Sequence, residues 1–300
     1  MEKTENLNTD FENIENIENI DIEVTSATPI LYNSGSFVVG GRTIQARWWQ
    51  LAPEDLEIIQ AGANLSRVGT NASFFGGNLM TAIHLFNGNI VRSGGNNNFA
   101  LGEAPEATRM SCMFQISSAA QTQVRMRNLA RTINDVGIPG ELRWAIGGIN
   151  LLLNENISSL ANLIARWRTF YSDTMVDGHR LPNGNVIEAI PGINLNSRAR
   201  TFIAHHQGLN RIYIGVMSSA IDDARGFIGD TGIPIATNPV NGGASYFEMH
   251  SFLRNFLGCT MGMALDGGGS SRIRRPSGTP IQLSSQPIRS PLCQLAIRGR

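Results

Sequence analysis

The chain has 300 residues, 42% of them apolar, enough to bury a sizeable core, and its formal net charge is zero. Lys3 is the sole lysine, and its place in an acidic leader excludes a Schiff-base lysine and a Walker-type phosphate loop. Cys112, Cys259 and Cys293 form no Cys-x-x-Cys pair, which argues against the usual zinc and redox signatures and against a disulfide framework.

The charge is unevenly placed. Residues 1–23 hold eight acids against Lys3, and removing these from the 24 acids and 24 bases leaves 16 and 23, a net of about +7 with histidine neutral. A mildly basic body suits a small anionic ligand, whereas nucleic acid is not expected, because no stretch interleaves dense basic residues with aromatics. Every base in that body is arginine. Its planar fork grips phosphate or carboxylate at two points, and codon bias accounts for the same choice equally well. No stretch is long enough to span a bilayer, and the first thirty residues lack the apolar run of a signal peptide. With an odd cysteine count, these features predict a cytoplasmic, reducing setting.

Residues 1–28 read as a separate acidic leader, with Glu-Asn-Ile repeating over residues 12–20. A solubilising tail and a partner-bound helix both fit that composition. From Pro29 onward the chain reads as one domain. Ser36–Val39 and Thr43–Trp49 predict a β-hairpin turning at Gly40-Gly41. Pro53-Glu54-Asp55 opens a predicted helix. Thr70–Asn98, rich in glycine and asparagine, predicts short strands and tight turns. Helices are expected over Ala119–Val136 and Glu155–Tyr171, the second with Leu160, Leu163, Ile164 and Trp167 at helical spacing. A buried strand is expected over Trp144–Leu153, and a second hairpin over Thr201–Ala204 and Arg211–Met217. Ser245–Leu257 predicts a helix stopped by Gly258. Met261–Leu265 predicts a strand running into Asp266, and Ser290–Ile297 a last strand. Strands interleaved with helices predict an α/β or α+β fold, a mixed sheet system flanked by helices.

The strongest chemical signal is the segment Asp266-Gly267-Gly268-Gly269-Ser270-Ser271 at the exit of that apolar strand. Consecutive glycines let backbone N–H groups approach an anion, two serines add hydroxyls, and Asp266 sets a carboxylate beside them. A glycine turn capped by Asp266 is the structural alternative.

Met263–Ser271, preceded by a helix and Leu257-Gly258, resembles the signature of the phosphodiester glycosidase family. Other segments follow that family's order. Gly69–Phe75 is similar to its Asn-Gly-Gly-Tyr-Phe element, and Ala145–Gly148 with Leu151–Leu153 to its central strand. Arg198–Ile203 is similar to Pro-Arg-Thr-Ala-Ile-Gly, Ser245–Met249 to Thr-Leu-x-Glu-Leu, and Arg289–Leu292 to a closing Arg-Pro strand. Ala199 stands where the family has proline, and Met217–Ala220 where it has Val-Asp-Gly-Arg.

The resemblance implies hydrolysis of the bond between a sugar anomeric carbon and phosphate, in a sugar-1-phosphodiester or nucleotide sugar. A binding protein that sequesters a phosphorylated sugar or nucleotide is the alternative, and a structural module tethered by the leader a third. In the catalytic reading, Asp266 or Glu248 activates water and Asn71 orients the water or a sugar hydroxyl. Arg200, Thr201, Gly267, Gly268, Gly269, Ser270 and Ser271 hold the phosphate. Each has a plainer role open to it: Ser245 and Glu248 have the spacing of a capping box, Arg200 of a salt-bridged base, Asn71 of a turn residue. No cofactor is implied; a divalent ion on Asp266 or Asp222 stays open.

Overall fold

The computed structural model describes residues 20–22, 29–61, 65–72, 75–76, 79–80, 82–91, 110–118, 121–130, 136–171, 198–219, 243–276, 280–282 and 293–300. Strands dominate. In chain order they are β1 (Ile20–Ile22), β2 (Ile30–Val39), β3 (Arg42–Leu51), β4 (Leu56–Gln60), β5 (Gly69–Asn71), β6 (Phe75–Gly76), β7 (Leu79–Met80), β8 (His84–Phe86) and β9 (Asn89–Ile90). There follow β10 (Met110–Ser118), β11 (Gln121–Ala130), β12 (Leu142–Asn150), β13 (Arg200–His206), β14 (Arg211–Ser219), β15 (Met261–Ala264), β16 (Arg272–Arg274), β17 (Ile281–Gln282) and β18 (Cys293–Ile297). The α-helices among the described residues are α1 (Leu160–Tyr171) and α2 (Tyr246–Ser251), which continues as a π turn over Phe252–Phe256.

This corrects the expected α/β class: the fold is mostly β. Two of the expected helices account for the difference. Gln121–Ala130 carries helix formers, yet Val124 and Met126 turn inward while Gln123, Arg125 and Arg127 are exposed. That period of two makes it a strand, paired with β10 from Ser118↔Gln121 to Met110↔Ala130. Pro53–Asp55 is a single 3-10 turn, because Leu56 is already extended and begins β4. The two hairpins, the helix at Ser245 and the strand entering Asp266 lie where the sequence predicts them. Gly40 and Gly41, with φ of 56° and 76°, supply the two left-handed positions of the first turn. Of the leader, Ile20–Ile22 pairs with Ile30–Tyr32; its other residues lie outside the described set.

The main sheet has the order β1-β2-β3-β14-β13-β15-β12-β10-β11, with β8 and β9 added beside β12. A five-stranded sheet runs β17-β16-β5-β18-β4. Alternation along the central strands gives the main sheet two apolar faces. Ile44, Trp48, Phe202, Tyr213 and Ala264 pack with Trp167, Tyr246 and Phe252 of the helices. Trp49, Ile203, Ile214 and Met263 pack with Ile58, Ile273 and Leu295 of the smaller sheet. The result is three layers: helices, large sheet, small sheet. The start of β13 and the exit of β15 lie side by side, since Phe202 pairs with Ala264. All the candidate site residues are anchored at this edge.

Candidate functional site

Main-chain bonds draw four segments together. Leu265 donates to Thr201 (2.8 Å) and Gly268 to Ala199 (2.7 Å), so the chain leaving β15 continues along the first residues of β13. On the other side Arg198 and Ala244 exchange hydrogen bonds of 3.2 and 2.7 Å, which seats the start of α2 against the same residues. From the small sheet, Asn71 at the end of β5 donates through Nδ2 to the Asp266 carbonyl at 2.8 Å.

The glycine corner has steric reasons. A Cβ on Gly267 would lie 2.9 Å from the Ala199 carbonyl oxygen, and Gly268 is left-handed with φ of 61°. Gly268–Ser270 then forms one 3-10 turn, buried throughout. Three of its amides turn into the chain itself rather than outward as an open anion nest. Those of Gly268, Ser270 and Ser271 donate to the carbonyls of Ala199, Gly267 and Gly268.

Asn71 is fully buried and its side chain serves the chain itself rather than an open ligand position. Its Oδ1 accepts from the Thr201 hydroxyl and from the Arg272 amide, both at 2.9 Å. The Arg272 amide can only donate, which fixes the orientation of the Asn71 side chain. The Thr201 hydroxyl also lies 3.3 Å from the Ser271 hydroxyl. Asn71, Thr201 and Ser271 are thus a polar clasp beneath the corner. Ser270 differs: its hydroxyl is fully buried and has no hydrogen-bond partner among the described residues.

Glu248 forms the capping box. Its Oε2 accepts from the Ser245 amide at 2.6 Å, and the Ser245 hydroxyl accepts from the Glu248 amide at 3.2 Å. Arg42, from the first hairpin, reaches Glu248 Oε1 at 3.0 Å and donates to the Gly243 carbonyl at 2.9 Å. Both carboxylate oxygens are committed to holding α2 in place.

Beside these groups stand Asp266 and Arg200, with a residue sequence reasoning did not single out, Tyr246. Asp266 is 7% exposed and Arg200 3%. The Arg200 guanidinium carbon sits 3.9 Å from the Tyr246 ring centroid, and its Nε donates to the Ala244 carbonyl at 3.1 Å. Burial lowers the Arg200 pKa, and the neighbouring tyrosine partly offsets this. Burial raises the Tyr246 pKa; Arg200 opposes that rise, and the Asp266 charge adds to it. Carboxylate, phenol and guanidinium therefore share one poorly solvated environment. The capping-box spacing carried the signal for Tyr246, because it sets this residue at the first helical position, facing inward. Among the described residues no three His, Cys, Asp or Glu side chains converge as a metal site would need, and Asp222 lies outside the described residues. No described helix is long and apolar enough to cross a membrane.

No protein-family model matches the chain, and no curated protein sequence matches it. Among solved structures it is similar to the catalytic domain of zebrafish N-acetylglucosamine-1-phosphodiester alpha-N-acetylglucosaminidase auto-inhibited by its pro-peptide. That match covers 94% of this chain and 88% of the other, at 15% identity and a TM-score of 0.52. A second likeness, to a hypothetical protein from Synechocystis, has 12% identity and a TM-score of 0.41. At this level of identity the likeness concerns the fold alone, which is similar to that of the zebrafish domain.

Proposed function

We propose that the protein is a hydrolase of the phosphodiester glycosidase type, cleaving the bond between a sugar anomeric carbon and phosphate in a sugar-1-phosphodiester or nucleotide sugar. The observation that carries this reading is the grouping of Asp266, Tyr246 and Arg200 at the exit of β15, on a fold similar to that of a domain with such a name. A phosphate leaving group is already a weak base, so it needs charge stabilisation more than a strong acid. Arg200 supplies the positive charge, and the buried Ser270 hydroxyl, which has no hydrogen-bond partner among the described residues, can donate to a phosphate oxygen. Asp266 activates water at the anomeric carbon. Glu248 and Asn71 hold the site together from below, as cap and clasp.

The test is release of free sugar from an N-acetylglucosamine-1-phosphodiester. Wild type should turn over, and Asp266→Asn should be slower by about 100-fold or more, with an unchanged melting temperature. Equal release by the two proteins would end the catalytic reading.

One observation favours a second reading. Met217–Ala220 stand where the resembled family has Val-Asp-Gly-Arg, which suits a protein that keeps the fold and holds a phosphorylated sugar or nucleotide intact. Recovery of unhydrolysed ligand from denatured protein would favour it.

A further inference from the structure

Arg200 is a cation taken almost completely out of water, and such a charge is costly unless its surroundings compensate it. An ion pair would compensate by cancelling the charge. The face of an aromatic ring stabilises a guanidinium while leaving its charge available to a ligand anion.

The ring beneath Arg200 is itself built in. Tyr246 is 1% exposed, and Trp167 meets it edge-on, with centroids 5.2 Å apart and planes at 79°. The Trp167 indole N–H donates to the Asn150 carbonyl at 2.8 Å, fixing the indole to the end of β12. The capping box of Ser245 and Glu248 sets the height of Tyr246 on α2. A chain of contacts therefore runs from the sheet through Trp167 and Tyr246 to the guanidinium.

We propose that Tyr246 is a positioning residue for the phosphate subsite: its π face, steadied by Trp167, holds the Arg200 guanidinium charged and correctly placed for the phosphate of the substrate. The inference rests on the proposed function, in which Arg200 receives that phosphate. The phenol also hydrogen-bonds the guanidinium, so phenylalanine separates the contribution of the π face from that of the hydroxyl.

The experiment titrates N-acetylglucosamine 1-phosphate, by calorimetry, into full-length wild type, Tyr246→Phe, Tyr246→Leu, Arg200→Gln and the double variant Arg200→Gln/Tyr246→Leu. Tyr246→Phe, which keeps the π face and loses only the phenol's bond to the guanidinium, should bind within about threefold of wild type, and Tyr246→Leu about tenfold more weakly. In the double variant the leucine should add almost nothing to the loss caused by Arg200→Gln, because the ring acts through the guanidinium. Tyr246→Met, of similar bulk and without a π face, serves by the same criterion if the leucine variant does not fold. Leucine and methionine variants that fold and bind like wild type would overturn the inference and leave the site reading standing. So would a leucine effect that persists undiminished without Arg200. Wild type that neither binds the sugar phosphate nor releases sugar would overturn both.

Discussion

The side-chain amide of Asn71 donates a 2.8 Å hydrogen bond to the main-chain carbonyl of Asp266, 195 positions further along the chain. That bond, with the two that Asn71 accepts from Thr201 and Arg272, ties the small sheet to the corner on which the candidate carboxylate stands. Removing the amide would strand a buried N–H and a buried carbonyl and leave the Thr201 hydroxyl only its 3.3 Å contact with Ser271. Each such loss costs about 1 to 3 kcal/mol and the three are not additive. Asn71→Ala should therefore lose about 3 kcal/mol in urea unfolding. Asn71→Asp, which keeps the shape but replaces the donor to Asp266 with an acceptor, should also be destabilised and should release sugar more slowly than wild type. A wild-type midpoint for either variant would show that the clasp does not hold the corner.

Glu248 offers a clean separation of cap from catalyst. Glutamine can still accept from the Ser245 amide, so Glu248→Gln keeps the capping box and gives up the charge pairing with Arg42, itself 40% exposed, and the weaker electrostatic support of Arg200. A pair with one partner in solvent contributes about 0.2 to 1 kcal/mol. Glu248→Gln should thus lose at most about 1 kcal/mol and keep sugar release within about threefold, whereas a catalytic carboxylate would lose about 100-fold. Glu248→Ala, which removes the box as well, should cost about 1 kcal/mol more.

Much of this arrangement can be read from the residues, and what cannot has identifiable causes. The strand into Asp266 and the helix at Ser245 are legible because apolar alternation and capping chemistry are local. The Gln121–Ala130 strand is not, because its residues are helix formers individually and only pairing with β10 makes their alternation decisive. The glycine corner is legible as a turn, while its loss of anion-binding amides is not, since their acceptors belong partly to Ala199 in another strand. Tyr246 falls within the helix predicted from Ser245, but its inward face and its partnership with Arg200 depend on the seating of α2 by Ala244 and Arg198. Spacing in sequence carries no record of such contacts.

Two buried groups give the fold opposite responses to pH. His84 in β8 is fully buried, with its Nδ1 2.9 Å from the Ala82 carbonyl, and desolvation lowers its pKa to about 4. An unfolded histidine takes up a proton near pH 6.5. Between those values the unfolded chain binds a proton that the folded one refuses, so stability falls as the pH drops from 6.5 towards 4, by up to about 3 kcal/mol. His84→Gln should flatten that part of the unfolding profile. Asp55 has a raised pKa, chiefly through burial and then through Glu54, against opposing arginines. The ionised form is therefore a cost at neutral pH, relieved as the pH falls through the raised value. Asp55→Asn should melt higher than wild type at pH 7 and converge with it in acid.

Gly243 sets the position of Arg200 from a distance, and its replacement tests how finely that position is held. It has φ of 90°, and a Cβ there would lie 2.1 Å from the Arg198 carbonyl carbon, with two further Arg198 backbone atoms within 2.5 Å. No rotamer change relieves a clash with main chain, so alanine must push the 243–245 segment off the start of β13. Four bonds lie in the path of that movement. Arg42 donates to the Gly243 carbonyl, Arg198 exchanges bonds with Ala244, and Arg200 Nε donates to the Ala244 carbonyl. Gly243→Ala should consequently cost about 3 kcal/mol or more and, at temperatures where it remains folded, should weaken binding of N-acetylglucosamine 1-phosphate more than Arg42→Ala does. The reason is that Arg42→Ala removes contacts of a half-exposed side chain to Glu248 and Gly243, whereas a displaced Ala244 carries away both the acceptor of Arg200 and the helix start that presents Tyr246. Equal affinities for the two variants would mean that the guanidinium is held by its ring alone and that the Ala244 carbonyl contributes nothing to its aim.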